Sequence, residues 1–250
     1  MVLVANTYYL RRTRMLDFLG GLGNAEDATA RTVYLPAGLP VSHIDDVLKS
    51  VAGEAAFAEE LTGLITRSRT GGVLFWSSMQ KYLICPPFLL REQVIYAGFV
   101  TEPLAKLLRV DYMIGLVLVH LGAYAVGLCQ GEQLVTSKVG TGLVHGRHKK
   151  GGSSQQRFQR RREKQVDEFL DRVCLHAREQ FEAQAKTIDY IVYGGPHQTI
   201  MQLQKRCPLL SSFADRVLQT LDVTDPRQET LEKAVGRIWS SRVTQWREEV

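Results

Sequence analysis

The sequence predicts a mixed α/β fold in which a mixed sheet is flanked by helices. Three observations carry that expectation. Three β-rich runs with short turns lie between Tyr112 and Val144. A long stripe of helical spacing follows from Gln156 to about Lys186. A buried-type strand, Ile188 to Tyr193, then ends in Gly194-Gly195-Pro196. The 250 residues allow one large domain or two small ones, with surface enough to bury a real core.

Taken in order, residues 1–30 carry little pattern, and Tyr8 to Leu19 reads as a short helix ended by Gly20-Gly21-Leu22-Gly23. Thr32-Val33-Tyr34-Leu35 is a β-branched and aromatic run stopped by Pro36, hence a strand. Ser42 with Asp45 three residues on marks a helix start. Two helical stripes follow, Ile44, Val47, Leu48 and Val51, then Phe57, Leu61, Leu64 and Ile65, broken at Gly53. Val73 to Trp76 and Lys81 to Ile84 predict a hairpin closed by Pro86-Pro87, and Val94 to Tyr96 a third strand. Thr101-Glu102-Pro103 opens a short helix to Leu108, with Pro103 where a first turn tolerates it.

Tyr112–Val119, Tyr124–Gln130 and Gln133–Val144 predict an antiparallel meander that turns at Leu121-Gly122 and Gly131-Glu132. Phe158, Val166, Phe169, Leu170, Val173, Ala177 and Phe181 form the stripe of the long helix. Beyond the strand at Ile188, a helix from His197 to Arg206 and a strand from Val217 to Val223 are expected. Pro226 then opens a last helix carrying Leu231, Val235, Ile238, Trp239, Val243 and Trp246.

Composition is that of an ordinary globular protein, 45% hydrophobic and 23% charged. Cys85, Cys129, Cys174 and Cys207 are scattered without a CxxC pair, which argues against a zinc ribbon or a disulfide framework and fits a reducing cytoplasm. No apolar run is long enough for a membrane span. Arg11, Arg12 and Arg14 follow the first apolar residues, the reverse of a secretory signal.

Charge is concentrated in one place. From His145 to Lys164, eight basic residues (Arg147, Lys149, Lys150, Arg157, Arg160, Arg161, Arg162, Lys164) face one acid, Glu163. The whole chain carries only +5, so the remainder is slightly acidic. A localised basic patch points to a polyanion, most often nucleic acid. At its centre, Gly151-Gly152-Ser153-Ser154-Gln155-Gln156 is flexible and amide-bearing. Glycines let backbone N–H groups approach a developing oxyanion. A glutamine amide orients a water or hydroxyl but does not titrate near neutrality. The plainer reading is an RNA-binding loop whose glycines act as a hinge and whose glutamines are solvated. His145 and His148 lack a third metal ligand, and Ser153 and Ser154 lack a base beside them.

From about Gly71 to Val243 the order of elements, the Thr101-Glu102-Pro103-Leu104 helix start, Gly151-Gly152 and the following Arg157-Phe158 and Arg160 resemble the central catalytic domain of archaeo-eukaryotic class I peptide-chain release factors. The family's glutamine directly after the two glycines is replaced by Ser153. Gly152-Ser153-Ser154-Gln155 matches instead the GxxQ motif of the Vms-type branch, whose stand-alone bacterial members look similar. The resemblance implies an RNase H-like release factor central domain over residues 71–250, with its basic GxxQ loop at 145–157, after a small reduced amino-terminal α/β portion over residues 1–70.

It also implies a codon-independent peptidyl-tRNA hydrolase of ribosome rescue or quality control in the cytoplasm. Residues 31–70 contain no Asn-Ile-Lys-Ser motif, and no room is left for a GTPase-binding domain. Gln155, Gly152, Gly151 and Gln156 would be catalytic. Arg147, Lys149, Lys150, Arg157, Arg160, Arg161 and Arg162 would contact RNA. The partners would be peptidyl-tRNA and the peptidyl transferase centre of the large ribosomal subunit, with no membrane, DNA, metal or cofactor. Two rival readings are an endonuclease cutting near the tRNA CCA end and a non-enzymatic ribosome-binding factor.

Overall fold

The computed structural model describes residues 3–22, 27–53, 55–144 and 154–248. The chain forms two compact units, Met1–Val110 with Arg237–Val250, and Asp111–Gly236. The boundary expected at residue 70 falls instead inside the first unit, because the strands on either side of it pair within one sheet.

The first unit begins with β1 (Leu3–Leu10) and α1 (Arg12–Leu22). The expected helix over Tyr8 to Leu19 therefore starts later. Val4, Thr7, Tyr8 and Tyr9 are strand formers, and they pair along a sheet edge. β2 (Arg31–Leu35) follows, then α2 (Val41–Ala52) and α3 (Ala55–Thr66), with the expected break at Gly53. Pro40, not Ser42, stands at the N-cap position of α2 and makes no side-chain capping bond, and Asp45 pairs with Lys49 one turn on. β3 (Gly72–Trp76) and β4 (Lys81–Cys85) form the expected hairpin. β5 (Val94–Ala97) pairs with β2, and α4 (Glu102–Arg109) carries Pro103 in its first turn.

The second unit opens with the expected meander, β6 (Met113–His120), β7 (Ala123–Gln130) and β8 (Gln133–Thr141). The long helix α5 (Ser154–Phe181) follows and would span roughly 42 Å. β9 (Tyr190–Gly194) lies parallel to β6; α6 (His197–Arg206) and the short α7 (Pro208–Ser211) lead to β10 (Val217–Leu221), parallel to β9. The sheet order β10-β9-β6-β7-β8, with only β7 reversed, is the RNase H-like order. One core holds Val117, Tyr124, Val126, Ile191 and Tyr193 of the sheet with the stripe of α5 and Ile200 and Leu203 of α6.

The last expected helix is a helix only in part. α8 (Gln228–Ile238) ends before Trp239, and β11 (Ser241–Glu248) returns to the first unit between β1 and β4. The positions of Trp239, Val243 and Trp246 mimic a helical repeat. A strand puts residues three apart on opposite faces, and Val243 and Trp246 indeed belong to different cores. Val243 packs with Met15, Val73, Phe75 and Leu104; Trp246 packs with Leu48, Leu61, Leu74 and Phe57. The six-stranded sheet is antiparallel throughout, in the order β1-β11-β4-β3-β2-β5.

Cys174 of α5 and Cys207, just after α6, form a disulfide with Cα atoms 5.4 Å apart. This corrects the expectation against disulfides, since a sequence separation of 33 hides the pairing until the fold closes it. Cys85 and Cys129 remain buried thiols, and burial pushes the Cys129 thiol up to about 12. Thiol titration of the denatured chain should count two thiols without reductant and four with it. Four without reductant would remove the bridge.

Gly195 joins β9 to α6 at φ +119°, where an added Cβ would collide with the carbonyl oxygen of Val119. Gly53 is also left-handed (φ +75°) but faces open space. Gly53→Ala should cost about 1 kcal/mol and Gly195→Ala at least about 2–3 kcal/mol, in urea denaturation followed by circular dichroism. Equal costs would show that the collision is relieved.

Candidate nucleic-acid interface

α5 changes character at Val166. Beyond it, Val166, Phe169, Leu170, Val173, Ala177 and Phe181 are buried in the core of the second unit. At about 1.5–3 kcal/mol for each large side chain, that stripe holds the helix by on the order of 10 kcal/mol in gross terms. Before it, Gln156, Arg157, Phe158, Gln159, Arg160 and Arg161 are all exposed, and Arg162 is half-buried. The basic tip is thus continuous with a well-anchored rod.

The tip has few acids to neutralise it. Glu163 accepts a hydrogen bond from the Gln159 amide (2.9 Å), and Lys164 lies 3.7 Å from Glu168. Further along, two residues of α5 clasp α6. Asp171 accepts the Arg206 guanidinium at both oxygens (2.9 and 2.8 Å), and Asp167 lies 3.0 Å from Arg206 Nη1. The Arg206 hydrogen bond holds the Asp171 carboxyl below its ordinary range. Arg172 donates to the Thr141 carbonyl (3.1 Å), tying α5 to the end of β8.

Between α5 and α6 runs a cleft of about 530 Å³ lined by His120, Arg162, Val166, Pro196, Gln202 and Lys205. Its polar wall on α6 carries no signal in the sequence, because Gln202 and Lys205 read as an ordinary solvated helix face.

The sequence-predicted site residues fall into two groups. Arg157, Arg160, Arg161 and Arg162 come together on the tip of α5, with Gln156 exposed beside them. The backbone of Gln155 lies in the first turn of α5. Arg147, Lys149, Lys150, Gly151 and Gly152, together with His145, His148 and Ser153, lie outside the described residues. Among the described residues, no group of three or more His, Cys, Asp or Glu side chains could hold a metal ion, and no helix is long and apolar enough to cross a membrane.

Phe158 is the residue whose role the sequence pattern misassigns. It reads as the first member of the core stripe, yet it is 59% exposed. The signal was present in the spacing: seven residues separate it from Val166, and Arg162 and Glu163 occupy the positions where the stripe would continue.

The comparisons with known proteins place this chain, with its basic helix after the meander, among release-factor-like proteins. Over 162 residues the chain is 32% identical to peptide chain release factor subunit 1 of Methanopyrus kandleri, covering 64% of this chain and 39% of that protein. It is 30% identical over 196 residues to the subunit of Methanocaldococcus jannaschii, covering 75% and 46%. The chain therefore spans less than half the length of these curated relatives. Among solved structures, the archaeal termination factor aRF1 aligns at TM-score 0.38 and 18% identity over 92% of this chain and 73% of that one; the Vms1 mitochondrial localization core aligns at 0.42 and 10%, over 91% and 92%.

The chain belongs to the family described as the Actinobacteria/chloroflexi VLRF1 release factor, whose model matches residues 112–244. That match begins where the second compact unit begins.

If the tip contacts phosphates, replacing Arg160, Arg161 and Arg162 together with Ala should weaken RNA binding. It should also flatten the log–log salt slope by up to about 2.7 on duplex, or about 2.1 on single strands. Affinity measured across a salt series tests this, and an unchanged slope would take the tip out of the interface.

Proposed function

We propose that the chain is a codon-independent peptidyl-tRNA hydrolase that acts on stalled ribosomes. The observation that carries this reading is the continuity of Gly151-Gly152-Ser153-Ser154-Gln155 with an anchored, acid-poor arginine helix, in a chain of a release-factor family. The tip reaches the peptidyl transferase centre of the large subunit, with Arg147, Lys149, Lys150, Arg157, Arg160, Arg161 and Arg162 on tRNA and rRNA phosphates. Such contacts position the loop without reading sequence.

The chemistry is ester hydrolysis. The Gln155 amide orients a water toward the ester carbon that joins the nascent chain to the tRNA ribose. Water attack makes a tetrahedral oxyanion, and the ester bond then breaks to release the peptide acid and the ribose hydroxyl. Backbone N–H groups around Gly151 and Gly152 stabilise the oxyanion. Gln156, one position on, lies about 100° around the helix and is the second candidate for the same role.

Gln155→Ala should slow peptide release about 10²- to 10³-fold while leaving ribosome binding nearly intact, because the residue is uncharged. Gln156→Ala should be milder. Purified stalled complexes, followed for released peptide and for the tRNA 3′ end, decide the matter. A re-chargeable CCA end accompanies hydrolysis, a shortened tRNA identifies ribose attack on a phosphate, and release undiminished in both variants would leave the glutamines without a catalytic role.

A further inference from the structure

We infer that the exposed ring of Phe158 is a stacking platform for an unpaired RNA base, one helical turn from the proposed catalytic glutamine. The inference rests on the preceding proposal that this helix tip meets tRNA.

An apolar ring standing alone on a protein surface is common and by itself means little. Phe158 differs in where it stands. It continues the line of Val166, Phe169 and Val173 along α5, but past the point where the body of the unit covers that line. Its neighbours one turn away are not apolar. At i+3 and i+4 stand Arg161 and Arg162; at i−3 stands Gln155. Arg157 and Arg160 flank it around the helix and are exposed as well. Among the described residues of α5 within one turn, the ring is thus set among cations and not among apolar side chains, which does not suit a protein or lipid partner.

That combination matches an unpaired nucleotide. Every base offers a π-face of the ring's own size, and its phosphate lies near enough for a guanidinium one turn (5.4 Å) away to hold it. A paired base keeps its faces stacked inside the duplex and cannot use the ring. The platform therefore selects a single-stranded end. On tRNA, the unpaired segment next to the ester is the 3′ end itself. Stacking one of its bases on Phe158 would fix the ester against positions 151–155. Phe158 is in this sense a positioning residue, not a catalytic one.

The test uses the full chain and two RNA hairpins that share a stem. One carries a short unpaired 3′ end and the other is blunt; neither is esterified. F158A should bind the overhang hairpin roughly 5- to 150-fold more weakly, the range that base–aromatic stacking supplies. Its salt slope should match wild type, and its affinity for the blunt hairpin should hardly move. F158W should restore overhang binding. The three native tryptophans, Trp76, Trp239 and Trp246, are buried, so the added emission of F158W should be quenched by the overhang hairpin and not by the blunt one.

Wild-type affinity in F158A, equal loss on both hairpins, or unquenched F158W emission at saturation would each overturn the inference. Because no ester is cleaved in this assay, its outcome is separate from whether Gln155→Ala slows release.

Discussion

Phe181 and Phe169 of α5 press onto the five-stranded sheet where a glycine leaves room for each. An ideal Cβ on Gly115 of β6 would stand 3.2 Å from the Phe181 ring, and one on Gly142, just past β8, 2.7 Å from that of Phe169. Two close approaches, one at the end of the helix and one near its middle, fix both its height over the sheet and its direction. The Arg206 clasp on Asp167 and Asp171, and the Cys174–Cys207 bridge, hold the same helix against α6. Exposed ion pairs contribute little individually; the apolar stripe supplies most of the energy and the clasp chiefly restricts rotation. With its second half so constrained, α5 can carry its first three turns outward without losing helical order, because each added residue extends an existing helix instead of nucleating a new one.

Those first turns oppose the usual electrostatics of a helix. The amino-terminal end carries partial positive charge and favours acids, yet the first turn of α5 contains none, and Arg157, Arg160, Arg161 and Arg162 crowd the first three turns. In isolation this arrangement costs stability. A phosphate chain laid against the tip would turn the same arrangement favourable, since the positive end of the helix and the guanidinium groups then face anions together. Local conflict concentrated at one site, while turns and core agree elsewhere, is what a binding surface leaves in a foldable sequence.

The parts of the fold legible in the sequence were those whose pattern has one explanation. The meander showed itself through turns at Leu121-Gly122 and Gly131-Glu132 between alternating strands, and α5 through a stripe too long to be a strand. Val243 and Trp246 were misread because their spacing fits a helix, whereas β11 is buried on both faces and so shows no alternation to announce it. β1 went unread because an exposed edge strand needs no apolar face. The Cys174–Cys207 pairing is a property of the packed helices, and no local spacing encodes it. Of the candidate site, the charge and the motif were legible. The exposure of Phe158 was legible only in the gap that separates it from the rest of the stripe, since periodicity reports which residues share a face and not where the body beneath that face ends.

That limit bears on how affinity and chemistry divide along the helix. Charge decides how strongly the tip is held to any RNA, and it does so over distances of about a Debye length with little regard to orientation. Hydrolysis needs the ester placed to within a fraction of an ångström, which diffuse attraction cannot supply. On the proposed reading, a base stacked on the Phe158 ring would supply it, because stacking fixes both distance and tilt. The backbone of Gln155 lies in α5, one turn before Phe158, so on the same reading the two share one helical frame. A glutamine on the rod and a base held by the same rod keep their geometry through any rocking of the tip, and on this view the longer GxxQ spacing exchanges reach for registration.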